Sequence, residues 1–205
     1  MKNNKLEKAI KLGENLEDLS ESYDLFIVFI DLCGSTEIKQ FCIENEIPDF
    51  AWISRLQVFL SRSAKILQQY NGEIIKTIGD EVMATFPVNT SPNEIIKCIK
   101  EIFQTFDNLR SYSTGKFKIY SKAAIDFGTC YNGQLLDVDI IDPIGPCVDR
   151  CARIGKFVNE NEIVFSEDIH KLLCSNRFNF DNFNLVSNEE EMKGLGRVKY
   201  FRITI

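Results

Sequence analysis

Histidine is almost absent from this chain: its one example, His170, sits among Ile169, Leu172 and Leu173 on an expected helix. A histidine-based nucleophilic triad therefore has little support. Long apolar runs are missing too, since the longest uninterrupted one, Leu25 to Ile30, falls far short of the ~20 residues that span a bilayer. Met1 to Ser22 is charged and lacks a secretory hydrophobic region, so a cytoplasmic protein that engages no membrane is expected. Positive charge is in deficit, with 24 Lys and Arg against 30 Asp and Glu and a net charge of −6. That balance argues against a nucleic-acid binder, whose hold on phosphates needs a dominant positive field. It leaves room for a small anionic substrate in a locally basic pocket. The seven cysteines form no Cys-x-x-Cys and have no histidine at zinc-ligand spacing, so reduced, mostly buried thiols are expected. Neither a Walker P-loop nor a Rossmann glycine fingerprint occurs, and there is no internal repeat or low-complexity tract.

With 205 residues, 44% apolar and 26% charged, the chain is sized for one compact domain with a substantial core. Residues 1–22 read as a polar, helical N-terminal extension, and residues 23–205 as the domain itself. Leu25 to Asp31 is too short and too solidly apolar for anything but a buried strand. Gly34-Ser35-Thr36 opens a helix with Ser35 or Thr36 as its cap and Glu37 in its first turn. Pro48-Asp49 starts a second helix, carrying Trp52, Leu56, Phe59, Leu60, Ala64 and Leu67 as an inward stripe. Asn71-Gly72 precedes a strand from Ile74 to Ile78, and Gly79-Asp80 marks the tip of a hairpin into Val82 to Phe86. A helix follows from Ser91-Pro92 to Leu109, then a strand from Lys116 to Phe127 and an arm from Cys130 to Asp139. A helix from Gly145-Pro146 to Phe157, a strand from Ile163 to Phe165, a helix capped by Ser166 and a closing strand from Val198 to Ile205 complete the order. The pattern predicts an α/β (α+β) sandwich, a mostly antiparallel sheet covered by helices.

Asp31 ends the first strand, and Asp80 sits at the hairpin tip. Taken singly, each has a plain structural reading, as a helix cap and a turn residue. If the strands are neighbours, both carboxylates emerge at one sheet edge, where divalent cations between them would relieve their repulsion.

Several pieces then fall into one order: Phe29-x-Asp31-x-x-Gly34-Ser35-Thr36, Gly72-x-x-x-Lys76-x-x-Gly79-Asp80-x-x-Met83-Ala84-x-Phe86, Ile125-x-x-Gly128, and Asp142-Pro143-Ile144-Gly145-Pro146-Cys147-Val148-Asp149-Arg150-Cys151-Ala152-Arg153-Ile154. In this order the sequence resembles the catalytic domain of the class III nucleotidyl cyclases, the adenylate and guanylate cyclase family, over about 23–205. The resemblance implies a ferredoxin-like, palm-type βααββαβ core. It also implies a reaction in which a ribose 3′-hydroxyl attacks the α-phosphate of a nucleoside triphosphate, giving a 3′,5′-cyclic nucleotide and pyrophosphate. Asp31, Asp80 and the Leu32 main chain would hold two divalent cations, Mg²⁺ or Mn²⁺, which oxygen-only ligands favour. Gly34, Ser35 and Thr36 would offer backbone N–H groups to the β- and γ-phosphates. Arg153, one helical turn beyond Asp149, would stabilise the pentavalent phosphate, with a surface arginine as its plain reading. Lys76 and Asp142 fall where purine cyclases read the base, and a lysine with an aspartate matches the adenylate pattern. A strand-end lysine and a turn aspartate are their plain readings. In the family these residues act across an interface, so a two-fold symmetric homodimer with composite active sites is implied.

Three positions depart from the common pattern. Asp149 stands where an asparagine usually orients the ribose, which places near the triphosphate an anion that must be paired, by Arg150 or Arg153, or protonated. Leu195 replaces a frequent phosphate-binding lysine, a loss for which Lys193 or Arg197 could compensate. Asp126 replaces a frequent histidine. These departures, and the lack of a regulatory or membrane domain in this sequence, make the chain similar to stand-alone bacterial pyrimidine cyclases of Pycsar anti-phage defence. That likeness rests on Gly145-Pro146-x-Val148-Asp149-Arg150-Cys151-Ala152-Arg153-Ile154 and on Pro48-Asp49-x-x-Trp52. The expectation is conversion of UTP to cyclic UMP, ahead of CTP to cyclic CMP. Adenylate cyclase is the alternative within the family, and a catalytically weak cyclase-fold nucleotide sensor the alternative of another class.

Overall fold

Five consecutive large apolar residues, Phe26 to Ile30, can be buried together only if a strand is flanked on both edges and covered on both faces. The computed structural model, which describes residues 22–134 and 141–205, supplies all four neighbours. Strand β1 (Ser22–Leu32) lies between β3 (Glu81–Pro87) and β4 (Ser121–Gln134), antiparallel to both. Phe26, Val28 and Ile30 face a core shared with Phe59, Ile99 and Phe103. Ile27 and Phe29 face the opposite way, against Met83, Cys151 and Ile154. Helices α2 (Phe50–Gln69) and α3 (Pro92–Asp107) cover the first face, and α4 (Pro146–Ile154) the second.

The remaining elements are α1 (Ser35–Glu44), β2 (Glu73–Ile78), β5 (Ile141–Ile144), β6 (Glu162–Ser166), α5 (Glu167–Ser175), β7 (Val186–Met192) and β8 (Gly196–Thr204). The sheet order is β2-β3-β1-β4-β6-β8-β7, with β5 pairing beside β4. Among the described strands only β4 and β6 run parallel, so the mixed α+β fold with a mostly antiparallel, helix-covered sheet is as expected. Ser166 caps α5 by accepting the Ile169 N–H, and His170 stacks on Phe201 with ring centroids 3.9 Å apart. Five of the cysteines, Cys42, Cys98, Cys130, Cys147 and Cys151, are buried, and all seven are free thiols.

Several expectations need correction. The strand predicted from Lys116 begins at Ser121, because Gly115, at φ +72°, turns the chain just before it and its carbonyl accepts the Lys118 N–H. β7 was not predicted: Ser187-Asn188-Glu189-Glu190-Glu191 has no apolar alternation and forms a strand by backbone pairing to β8. Its glutamates leave an acidic sheet edge that discourages further pairing. The inward stripe of α2 is rotated from the expected one. Arg55, Ser63 and Ile66 are buried with Phe59 and Leu67, while Trp52 and Ala64 are half-buried. The extension assigned to residues 1–22 lies outside the described residues except for Ser22, which opens β1, and so does the arm from residue 135 to its end. No helix among the described residues is long and apolar enough to cross a membrane.

Gly145 sets how closely α4 starts against β4, since a Cβ at this position would come 2.7 Å from the Thr129 carbonyl oxygen. Gly145→Ala should therefore cost about 1–3 kcal/mol, the range for overpacking a tight contact. The check is a lower urea midpoint at unchanged slope; an unchanged midpoint would show that the helix start lifts away without penalty.

Candidate active site

The end of β1 brings one face of the site together. Strand register sets Asp31 opposite Glu81 on β3 and Lys122 on β4. Gly79, at φ +65°, allows the tight β2–β3 turn that carries Asp80, and the Leu32 N–H donates to the Asp80 carbonyl at 3.2 Å. The hairpin tip is thereby tied to the end of β1, and the two sequence-predicted aspartates meet. They line a cavity of about 610 Å³ together with Gly34, Ser35, Thr36 and Lys122. The expected cap is corrected: Gly34, left-handed at φ +68°, is the N-cap residue of α1, and no side chain caps that helix start. Its first N–H groups remain available to an anion.

The charges explain what this cavity can hold. Lys122 Nζ lies 3.2 Å from Asp31 Oδ2. Burial still raises the Asp31 carboxyl above its ordinary range, with Lys122 opposing and Asp80 adding to the rise. Burial, then Asp31 and Asp80, push Glu81 up to about 7. Negative charge here exceeds the facing positive charge, as at a site that receives cations. Among the described residues, no three His, Cys, Asp or Glu side chains form a metal cage. Two carboxylates and a main-chain carbonyl nonetheless fit Mg²⁺ or Mn²⁺, which are commonly completed by water and substrate phosphate.

Arg55 was invisible to the sequence reading, because its position on α2 looked like a solvent-facing gap in the stripe. It is 3% exposed. Its guanidinium donates to the Cys33 and Lys118 carbonyls, each at 2.9 Å, and so pins the β1–α1 connection that carries Gly34. Lys122 was missed as well, although a lysine opening the apolar Ala123-Ala124-Ile125 strand was a usable signal.

The other predicted residues do not line this cavity. Arg153 is half-buried and Asp149 exposed on α4. Lys76 on β2 and Asp142 on β5 form an ion pair with each other. Lys193 is exposed in the β7–β8 turn, and Arg197 pairs with Glu189 at 3.0 Å. The suggested pairing of Asp149 with Arg150 does not form. Arg150 instead grips buried Asp126, Nε to Oδ2 at 2.6 Å and Nη2 to Oδ1 at 2.8 Å, and also reaches Asp168 at 3.0 Å.

Residues 19–204 match the family model described as the adenylate and guanylate cyclase catalytic domain. The chain belongs to that family. The cyclase domain is 24% identical over 185 residues to an adenylate cyclase of Lachancea kluyveri, an alignment that covers 82% of this chain but spans 9% of that relative's length. Its fold is that of solved cyclase domains. It superposes on the adenylyl cyclase CyaB from P. aeruginosa with a TM-score of 0.72 at 20% identity, covering 91% of this chain and 96% of that one. For the guanylate cyclase domain of RhGC from Catenaria anguillulae, in complex with GTP, the TM-score is 0.71 at 16% identity, with 90% and 98% covered. As a class III nucleotidyl cyclase catalytic domain, it comes from a family that works with divalent metal ions.

The raised carboxyls give this cyclase domain a pH signature. Folded Glu81 and Asp31 hold protons that their unfolded counterparts release, so this contribution is complete below the ordinary carboxylate range and is lost as pH rises through about 7. A cation held by Asp31 would compete with the proton there. Mn²⁺ should thus raise the melting temperature markedly at pH 7.5 and little at pH 5, with the difference reduced in Asp31→Ala. Equal Mn²⁺ shifts at both pH values would contradict a carboxylate-held cation.

Proposed function

We propose that this domain cyclises a nucleoside triphosphate, as a two-fold symmetric homodimer with two composite active sites. The observation that carries the reading is the division of the set: Asp31, Asp80 and the uncapped α1 start line one cavity, while Arg153, Asp149, Lys76 and Asp142 lie off it. One protomer supplies the cation and phosphate side, and a second copy supplies the remainder. When bound, the divalent cations supply neutralising charge at the attacking oxygen and the leaving pyrophosphate.

The chain's own residues account for the rest. Asp31, Asp80 and the Leu32 carbonyl hold the cations. Backbone N–H groups of Gly34 to Thr36 orient the β- and γ-phosphates at the positive end of α1. Lys122, exchanging Asp31 for substrate, adds positive charge to the same wall. Arg153 of the second copy meets charge that develops on the α-phosphate, where a planar fork gains most in the transition state. Asp149 lies beside the ribose, while Lys193, in the β7–β8 turn, and Arg197, at the start of β8, contact phosphate.

For the base, UTP ahead of CTP is supported by the Pycsar-like segment around Asp149-Arg150-Cys151-Ala152-Arg153, and with it a role as a second-messenger source in antiviral defence. ATP is the competing substrate, favoured by the Lys76–Asp142 pair, which offers a donor beside an acceptor. Base choice is a difference of affinities, so a direct comparison decides it.

Purified protein with Mn²⁺ and each of the four nucleoside triphosphates should yield cyclic UMP as the main product by mass spectrometry. A dominant cyclic AMP signal would establish the adenylate alternative, and tight nucleotide binding without any cyclic product would establish the sensor. Asp31→Ala and Asp80→Ala should each reduce turnover to background. Arg153→Ala should lower kcat by about 10²–10³-fold with KM nearly unchanged. A co-expressed, doubly tagged heterodimer of Asp31→Ala with Arg153→Ala keeps one intact site of two, so it should recover about half of wild-type turnover. No recovery would rule out composite sites.

A further inference from the structure

A buried, bidentate ion pair in the core serves no purpose in the set above. Asp126, on the middle of β4, is fully buried. It is joined through two parallel hydrogen bonds to Arg150, on α4, and Arg150 also reaches Asp168 at the start of α5. Burying a carboxylate is costly, and a well-packed apolar pair at the same place is often as stable. The pair is therefore better understood by what it specifies than by what it stabilises.

What it specifies is the roll of α4. Beyond the close approach of Gly145 to β4 and the packing of Ile154, the helix rests on thiol contacts: Cys147 Sγ lies 3.3 Å from Cys130 Sγ, and Cys151 Sγ lies 3.6 Å from the Ile27 carbonyl. Thiols of this kind tolerate small rotations. A bidentate guanidinium–carboxylate fork fixes both distance and angle. Arg150 lies next to Asp149 and three residues before Arg153, so the fork that fixes Arg150 also sets the direction in which those two side chains leave the helix.

Resting on the composite-site reading, we infer that Asp126 and Arg150 are positioning residues: their buried fork aims Arg153 and Asp149 of one protomer into the active site of the other. Neither touches substrate. Their effect is exerted in trans, on the partner's metal site, and leaves the metal cavity of their own protomer intact.

Asp126→Asn should lower kcat by about ten- to a hundredfold, the scale of a displaced reacting group, with KM changed less than about threefold. Arg150→Lys, which keeps the charge but loses the fork, should fall between Asp126→Asn and wild type. It decides the matter if Asp126→Asn does not fold. The discriminating measurement is again a doubly tagged heterodimer. Asp126→Asn paired with Asp31→Ala should recover about half of wild-type turnover, because the intact α4 then faces the intact metal cavity. Paired with Arg153→Ala it should recover nothing beyond the Asp126→Asn level, because both variants damage the same half-site. Wild-type kcat in both Asp126→Asn and Arg150→Lys would overturn the inference. So would failure of the Asp126→Asn and Asp31→Ala pair in a protein whose Arg153→Ala and Asp31→Ala pair recovers. A wild type that makes no cyclic nucleotide removes the composite-site reading itself, and the inference with it.

Discussion

The antiparallel seating of β1 between β3 and β4 is the constraint on which the site depends. Because side chains alternate along a strand, that register decides which residues of the apolar run face which core and which residue is left at the end of the run. With Asp31 opposite Glu81 and Lys122, a slip by one residue would turn the carboxylate toward the interior and expose Ile30. Burial of the preceding five residues holds the register against that slip. The repulsion among Asp31, Asp80 and Glu81 is thus imposed by the hydrophobic core, which is why carboxyls with raised pKa values persist at this edge.

A second layer of order lies in α4, on the sheet face shared by Ile27 and Phe29. Helix α4 is short, starts at Gly145-Pro146 in close contact with β4, and carries the residues assigned to phosphate and ribose. Its buried face consists of Cys147, Cys151 and Ile154, which supply area but little angular precision. The Asp126–Arg150 fork is the contact we infer to supply the angle. On the proposed reading the domain holds its two half-sites by different means, backbone register for Asp31 and Asp80 and a buried ion pair for the helix that carries Arg153.

Much of this is legible in the sequence. The solid apolar run announced a doubly covered strand, Gly79-Asp80 announced a tight turn, and the pattern around Pro146 placed α4 correctly. The misreadings have particular causes. β7 carries almost no hydrophobic signal, because an edge strand is held by main-chain pairing, which composition does not record. Arg55 was hidden because a buried arginine satisfied by carbonyls looks like a surface residue in a helical pattern. Gly34 replaced Ser35 and Thr36 as the cap because a left-handed backbone was needed at the bend from β1 into α1, and glycine adopts it without a Cβ clash.

The sequence by itself determined the class of fold and the places of Asp31 at a strand end and Asp80 in a tight turn, because strand periodicity and turn chemistry are local properties; that the two line one cavity was decided by the pairing of β1 with β3. Only the tertiary structure decided that Lys122 sits against Asp31, that Lys76 closes on Asp142, and that Arg150 turns inward to Asp126 and away from Asp149. Each of these joins residues distant in the chain, and its existence depends on which strands become neighbours. Local pattern says where a side chain leaves the backbone; sheet order and helix packing say what it meets.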